Sequence, residues 1–196
     1  MEWQQLITDG YGRLLEIMCK TLEGLTQEDL DMRPTPDSNC IGWLAWHISR
    51  ELDFNISGLM GEEQLWISDG WHVRFNREPK PLDTGFVKFG HTDKDVAAFR
   101  SPSVEILLGY YRAALERAEQ YVNTLSAVDL ERVLEAPSWS WEKQKRITND
   151  GVEEWYSPVA TVGRRLVSVL GECFQHGGQL SYVRGLLKGK GWLKEF

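Results

Sequence analysis

Cysteine is scarce in this sequence, and the few that are present form no recognisable pattern. Cys19, Cys40 and Cys173 are widely spaced, and no two of them form a Cys-x-x-Cys pair. An odd number of distant thiols excludes the disulfide framework that small secreted proteins use. The N-terminal residues also lack a basic segment followed by an apolar one, which is the pattern of a secretory signal. These absences predict a reduced, cytoplasmic protein.

The sequence also has no excess of basic residues and no long apolar run. It contains 22 Lys and Arg against 29 Asp and Glu, a formal net charge of -7. Non-specific binding to nucleic acid or to anionic membranes depends on clustered basic side chains. No apolar run approaches the roughly 20 residues that a membrane-spanning helix needs. We therefore expect neither a nucleic-acid nor a membrane partner.

What the sequence does contain is helical periodicity. At 196 residues, 42% of them hydrophobic, the chain can form a single domain over 1–196 with a substantial core. The two-residue alternation of strands does not extend beyond a few residues. Apolar positions recur instead at steps of three and four, and they predict four long helices near 3–25, 39–61, 101–125 and 157–187.

Two Ser-Pro pairs predict where the third and fourth helices begin. Ser101-Pro102 and Ser157-Pro158 each place Ser at the N-cap and Pro at the first helical position. The preceding connections, 61–100 and 126–156, are irregular apart from short helical fragments. Connections of this length are uncommon unless they cross over the fold or cover a site. The pattern predicts an all-α, four-helix bundle with long crossover connections.

A carboxylate and an imidazole lie four residues apart on the fourth helix. Glu172 and His176 point the same way, because positions i and i+4 share a helix face. His47 lies on the second helix; if the two helices face each other, three ligands meet and leave an open position, as in catalytic metal sites. Two imidazoles and a carboxylate suit a borderline divalent ion such as zinc or nickel. The spacing alone is also typical of an ordinary helix pair.

The residues around these ligands resemble the DinB-like four-helix-bundle superfamily. Asn39-Cys-Ile-Gly-Trp-Leu-Ala-Trp-His47-Ile is similar to its second-helix signature. The stretch from Ser157 to Glu172-x-x-x-His176-Gly-Gly-Gln179 is similar to its fourth helix. The resemblance covers nearly the whole chain, and it is weakest in the connection 61–100. It implies an up-down-down-up order of helices, frequent dimers, and a metal ion held by one second-helix His and a fourth-helix pair.

Glu172 departs from the pattern of most members, which have His-x-x-x-His on the fourth helix. The subgroup that includes mycothiol-dependent maleylpyruvate isomerase is similar in using His, Glu and His. The resemblance therefore implies a metal site at His47, Glu172 and His176, with zinc or nickel as the ion. It implies thiol-dependent transfer, isomerisation or hydrolysis as the activity.

Other side chains near these ligands are candidates for catalytic or binding roles. Glu51, one turn after His47, either acts in the site or pairs with a nearby arginine. Gln179, three residues after His176, is placed to hydrogen-bond into the site. One arginine of the fourth helix (Arg164, Arg165 or Arg184) either binds an anionic substrate or, like the others, is solvated. We expect the remaining imidazoles of the long connection to be exposed; these are His72 and His91.

Two functions are compatible with these features. The first is a metal-dependent enzyme that acts on a small-molecule substrate, with a low-molecular-weight thiol as its partner, and that forms a homodimer. The second is a non-catalytic dimeric bundle that binds a partner and has a vestigial or empty metal site.

Overall fold

A computed structural model describes residues 1–85, 91–134, 144–147, 153–156 and 161–189. Four long helices form the bundle, as the periodicity predicts: α1 (Trp3–Leu22), α3 (Ile41–Met60), α7 (Val104–Thr124) and α8 (Val162–Lys188). Short helices occupy the connections: α2 (Gln27–Asp31), α4 (Leu65–Ser68), α5 (Trp71–Arg74), α6 (Asp93–Ala98) and a 3-10 turn at Asp129–Glu131. Across these described residues no helix has the length and apolar character to cross a membrane.

The last connection contains a small hairpin that the sequence pattern does not reveal. Strands β1 (Gln144–Ile147) and β2 (Glu153–Tyr156) pair antiparallel, with Gln144 opposite Tyr156. Four residues per strand are too few for a two-residue alternation to stand out from chance. The hairpin lies outside the helical bundle elements and leaves the all-α class of the bundle unchanged.

Contacts between the helices give the up-down-down-up order. Near the first turns of α8, the Tyr11 hydroxyl of α1 donates to the carbonyl of Leu166, and near its end Arg184 donates to the carbonyl of Thr21. Hence α1 and α8 run parallel. They approach closely, because a Cβ on Gly177 would come within 2.5 Å of the Leu14 side chain.

The second parallel pair is α3 and α7. Arg50 of α3 contacts Tyr110 of α7, and one to two turns later Ser57 accepts from Arg117. This pair runs antiparallel to the first, since Arg165 at the start of α8 donates to Asn55, late in α3. α3 therefore lies between α7 and α8, and it is buried along most of its length.

Two helix starts differ from the predicted ones. Ser103, not Ser101, caps α7 by accepting from the amide of Ile106. The Ser101 amide instead donates to Asp31 of α2, so tertiary contacts hold it outside the helix. The N-cap of α3 is Cys40, whose sulfur accepts from the amide of Trp43. The predicted start of the fourth helix at 157–158 lies outside the described residues, and α8 begins after Thr161.

A fully buried ion pair holds the connection after α3 against the bundle. Arg50 and Asp53 have no exposed side-chain surface, and their nearest charged atoms lie 3.5 Å apart. The Tyr110 hydroxyl donates to Asp53 at 2.7 Å, and the amides of Leu65 and Trp66 donate to the same carboxylate. Because buried charges are tolerated only when they are paired and hydrogen-bonded, this network fixes α4 on α3.

The same arginine fixes a second part of the connection, residues 81–85, which we call the strap. Arg50 donates from Nε to the carbonyl of Asp83 and from Nη2 to the carbonyl of Pro81, both at 3.0 Å. The strap is thereby held along α3, and this position brings it over His47.

Candidate metal centre

The three predicted ligands meet between α3 and α8. Glu172 Oε1 lies 3.0 Å from His176 Nε2 and 3.9 Å from His47 Nε2. The two imidazole rings have centroids 4.5 Å apart and are nearly perpendicular. One ligand atom from each residue can be chosen so that all three lie within 4.8 Å of one another, and no second group of this kind occurs in the described part of the chain. These distances are short enough for one metal ion to contact all three side chains.

A backbone carbonyl fixes the ring of His47. Its Nδ1 lies 2.5 Å from the carbonyl oxygen of Thr84, in the strap. Because a carbonyl only accepts hydrogen bonds, Nδ1 carries the hydrogen and Nε2 keeps its lone pair. That bare nitrogen is the one that faces Glu172. Metal-ligating histidines are commonly oriented by a carbonyl in this way.

A side-chain amide fixes the ring of His176 in the same manner. Its Nδ1 lies 2.8 Å from Oε1 of Gln179, one turn further along α8. The amide oxygen accepts from Nδ1, so Nε2 is again the atom turned toward Glu172. Both imidazoles thus present the same nitrogen to the same carboxylate.

The electrostatics of the group prepare it for a cation. The hydrogen bond from His176, and to a smaller extent the nearby imidazole of His47, lowers the pKa of Glu172 to about 2. Burial acts to lower the pKa of His176, but its hydrogen bonds to Glu172 and Gln179 outweigh this and raise it. Glu172 is therefore ionised at neutral pH, and a proton on His176 occupies the place where a metal ion would bind. Metal binding would displace that proton.

Solvent reaches the group from one side. The exposed fraction of the side chain is 3% for His47, 15% for His176 and 32% for Glu172. The indole of Trp43 stacks on the His47 ring, with centroids 4.8 Å apart, and closes the inner side. Hence, among the described residues, His47 forms the floor of the centre and Glu172 forms its more exposed rim.

The strap residue next to Thr84 has no room for a side chain. Gly85 has φ of +88°, and a Cβ there would lie 2.7 Å from the ring of Trp43 and 3.1 Å from Nδ1 of His47. A glycine at this position lets the strap lie flat on both rings. The sequence pattern did not single out the strap, although Arg50, three residues after His47 on the same stripe, is the residue that holds it.

The imidazoles of the long connection are not exposed, so that expectation was wrong. His91 stacks on Trp46, accepts from the indole N–H of Trp43 at 2.8 Å and donates to Asp83 at 2.8 Å. His72 is partly buried and contacts the carbonyl of Trp66 at 2.8 Å. Tryptophan packing draws both rings inward, and neither belongs to the group of three ligands.

The two predicted catalytic residues lie next to the group without contributing a ligand atom. Glu51 is 8% exposed and accepts from the side-chain amide of Asn55 at 3.2 Å. Gln179 is exposed and contacts His176 directly. Their catalytic roles stay predictions. Cys173 is buried in the core, where burial raises the pKa of its thiol above its ordinary value.

Comparison with known proteins gives one family match and a similar solved structure. The family model of the DinB superfamily matches residues 13–180, a span that includes all three candidate ligands. No curated protein matches the chain. Among solved structures, the chain is similar to the crystal structure of a conserved protein of Enterococcus faecalis, with 27% sequence identity and a TM-score of 0.77. That similarity covers 97% of this chain and 99% of the other.

Proposed function

Since the chain belongs to the DinB superfamily, we propose that it is a metal-dependent enzyme that acts on a small molecule at the group formed by His47, Glu172 and His176. The observation that carries this proposal is the orientation of the two imidazoles. Each has its Nδ1 hydrogen bonded outward and its Nε2 turned toward one ionised carboxylate. Three atoms that can bind a metal ion therefore lie together, and Nε2 of His47 has no hydrogen to donate to the carboxylate of Glu172.

The donor set fits a divalent ion of the zinc or nickel type. Two neutral imidazole nitrogens and one carboxylate oxygen match the ligands that catalytic zinc sites use, with one position left open. A bound ion would supply Lewis acidity, which lowers the pKa of a water or a thiol in that position. We accordingly favour thiol-dependent transfer or isomerisation, or hydrolysis, as the reaction class, with a low-molecular-weight thiol as the cosubstrate in the first two cases.

The surrounding residues have separate tasks in this proposal. His47 and Trp43 exclude water from the inner side, because both are almost fully buried. Gln179 holds the His176 ring in its ligating tautomer. Glu51 is the nearest carboxylate outside the ligand group on α3, and we assign it the transfer of a substrate proton. Its charge already contributes to the raised pKa of His176.

A non-catalytic dimeric bundle is the alternative, and one surface favours it. Val167, Phe174 and Tyr182 recur on one exposed face of α8, a spacing of seven and eight residues that aligns them on one helix stripe. The tryptophans of α3 give no support to this alternative, because Trp43 and Trp46 are buried. In the enzyme proposal the same face of α8 would serve a homodimer.

Elemental analysis of protein purified without a His-tag tests the proposal. We expect about one zinc or nickel ion per chain in the wild type, and a much lower content in Glu172→Gln, which loses the charged ligand. Glu16→Gln, at an exposed position of α1, removes the same charge elsewhere and should keep the ion. A metal content near zero in both the wild type and Glu172→Gln would contradict a metal enzyme.

Turnover assays then separate the two functions. The metal-loaded protein is incubated with small electrophiles, with and without low-molecular-weight thiols, and with small amide or ester substrates. Thiol consumption that is lost in Glu172→Gln would support transfer or isomerisation, and thiol-independent cleavage would support hydrolysis. A protein that binds one ion and turns over neither class would favour the non-catalytic dimer.

A further inference from the structure

A partly buried arginine lies between the same two helices as the ligand group, and no carboxylate of the described residues forms an ion pair with it. Arg165 of α8 donates from Nη1 to Oδ1 of Asn55 at 2.9 Å. Within the described residues its side chain makes no other hydrogen bond and no ion pair. Arg50 and Arg77, by contrast, are each matched by a buried or half-buried aspartate. The described residues therefore engage one of the five N–H donors of this guanidinium.

The position of Arg165 relates it to the candidate metal centre. It precedes Glu172 by seven residues, which places it two helical turns away on the same face of α8, at about 10 Å along the axis. Its partner Asn55 follows His47 by eight residues on α3, which runs antiparallel to α8. The groove between α3 and α8 thus contains the ligand group at one end and the guanidinium at the other.

Asn55 also keeps the nearest carboxylate apart from the guanidinium. Its amide nitrogen donates to the carbonyl and to Oε2 of Glu51, while its oxygen accepts from Arg165. Glu51 is close enough for its charge to act on Arg165, and yet the two form no ion pair. A planar guanidinium held in this way is suited to bind a carboxylate with two parallel hydrogen bonds.

We propose that Arg165, positioned by Asn55, binds a carboxylate of the substrate or cosubstrate about 10 Å from the metal-binding group. The substrate class is then a small molecule whose reacting thiol or electrophilic group is separated from a carboxylate by several bonds. This inference rests on the proposed function, because it takes the reacting group to be at His47, Glu172 and His176. Arg165 sets specificity, whereas Asn55 acts only through Arg165.

Two series of thiol probes test the inference on the cobalt-loaded protein. One series is ω-mercapto-carboxylates, lengthened one methylene at a time, and the other is the ω-mercapto-alcohols of the same lengths. Thiol binding is followed by the sulfur-to-cobalt absorption band. We expect both series to bind, and the carboxylates to bind roughly 10- to 100-fold more tightly at the length that spans the groove, as a charge-assisted hydrogen bond predicts.

Substitutions assign that preference to the arginine. Arg165→Gln should abolish the carboxylate preference and leave the dissociation constants of the mercapto-alcohols unchanged. Arg165→Lys should retain only part of it, because an ammonium lacks the planar fork. Arg164→Gln removes the same charge from the next residue, about 100° around the helix, and should keep the preference. Thermal unfolding of each variant verifies that it is folded.

The outcomes separate this inference from the proposed function. Equal binding of the two series in the wild type, or a carboxylate preference that survives Arg165→Gln, would overturn the role of Arg165 alone. Failure of both series to bind the loaded protein would overturn the thiol site and, with it, this inference. A preference lost equally in Arg164→Gln and Arg165→Gln would show general electrostatic attraction and would also overturn a specific site.

Discussion

Helix α3 has a polar cluster on each of two faces, and the two differ in how completely they are satisfied. Toward α7, Arg50 and Asp53 are closed off by Tyr110 and by backbone groups of the connection. Toward α8, the Nε2 atoms of His47 and His176 face the carboxylate of Glu172, which is partly exposed. Both clusters bury charge, but among the described residues the second leaves Nε2 of His47 at 3.9 Å from Glu172, beyond hydrogen-bond distance. Burial of polar groups by itself is therefore no sign of a functional site; an incomplete set of partners is.

The two clusters are connected by the strap. Arg50 holds the carbonyls of Pro81 and Asp83, and the next residue, Thr84, accepts from His47. The structural cluster thereby positions a candidate ligand that lies one turn earlier on the same helix. Three substitutions test this difference between the two clusters, and they follow from the largest expected effect to the smallest.

The largest effect is expected for Asp53→Asn. This change leaves the buried guanidinium of Arg50 without its counter-charge, which costs about 3–5 kcal/mol of stability in comparable buried pairs. Denaturant unfolding of the metal-free protein measures the loss. Asp37→Asn, at an exposed position, should change stability by less than about 0.5 kcal/mol. A loss below about 1 kcal/mol for Asp53→Asn would show that the network is less closed than its contacts suggest.

A smaller effect, confined to the other cluster, is expected for Gln179→Leu. The change removes the acceptor that fixes His176, and loss of such a partner typically weakens metal affinity about 10- to 100-fold. Competition with a chelator measures the affinity, and the stability of the metal-free protein should hardly change because Gln179 is exposed. Gln175→Leu, one turn earlier and also exposed, is the matched control. Equal affinity in both variants would argue against a role for Gln179.

The smallest effect, but one felt by both clusters, is expected for Gly85→Ala. A left-handed backbone costs a non-glycine residue about 1–2 kcal/mol, and the added carbon also meets the ring of Trp43. We expect lower stability together with weaker metal binding. Gly58→Ala, on α3 with open space around it, should instead be neutral or stabilising. A stability loss without any change in metal affinity would uncouple the strap from His47.

The bundle was predictable because its signals are local. Apolar steps of three and four residues define the long helices, and α8 ends at Lys188, close to the predicted end at 187, where Gly189 has φ of +66°. Errors arose where distant contacts override local preference. Serine is a favourable N-cap residue, but the amide of Ser101 donates to Asp31, seventy residues earlier in the chain. The helix therefore begins after Ser103 instead. The hairpin of β1 and β2 was missed because its strands are too short to show a period.

The candidate site was predictable in its ligands and not in its surroundings. The i, i+4 spacing of Glu172 and His176 and the similar sequence context of His47 suffice to nominate three residues. Nothing in the sequence indicates that the carbonyl of Thr84 would orient His47, because any residue supplies a carbonyl. The inward position of His91 was equally hidden, since it depends on stacking with Trp46 across forty-five residues.

Helix α8 supplies two of the three candidate ligands and packs against both α1 and α3. It is also the last of the described helices to be synthesised. Until it emerges from the ribosome, the apolar side chains of Leu14 and Met18, which are fully buried in the finished fold, have no cover from α8. Domain completion thus waits for the C-terminal helix, and a chain interrupted before residue 162 is expected to require chaperones. Because Glu172 and His176 arrive with that helix, the proposed ion would bind only after α8 has packed onto α1 and α3.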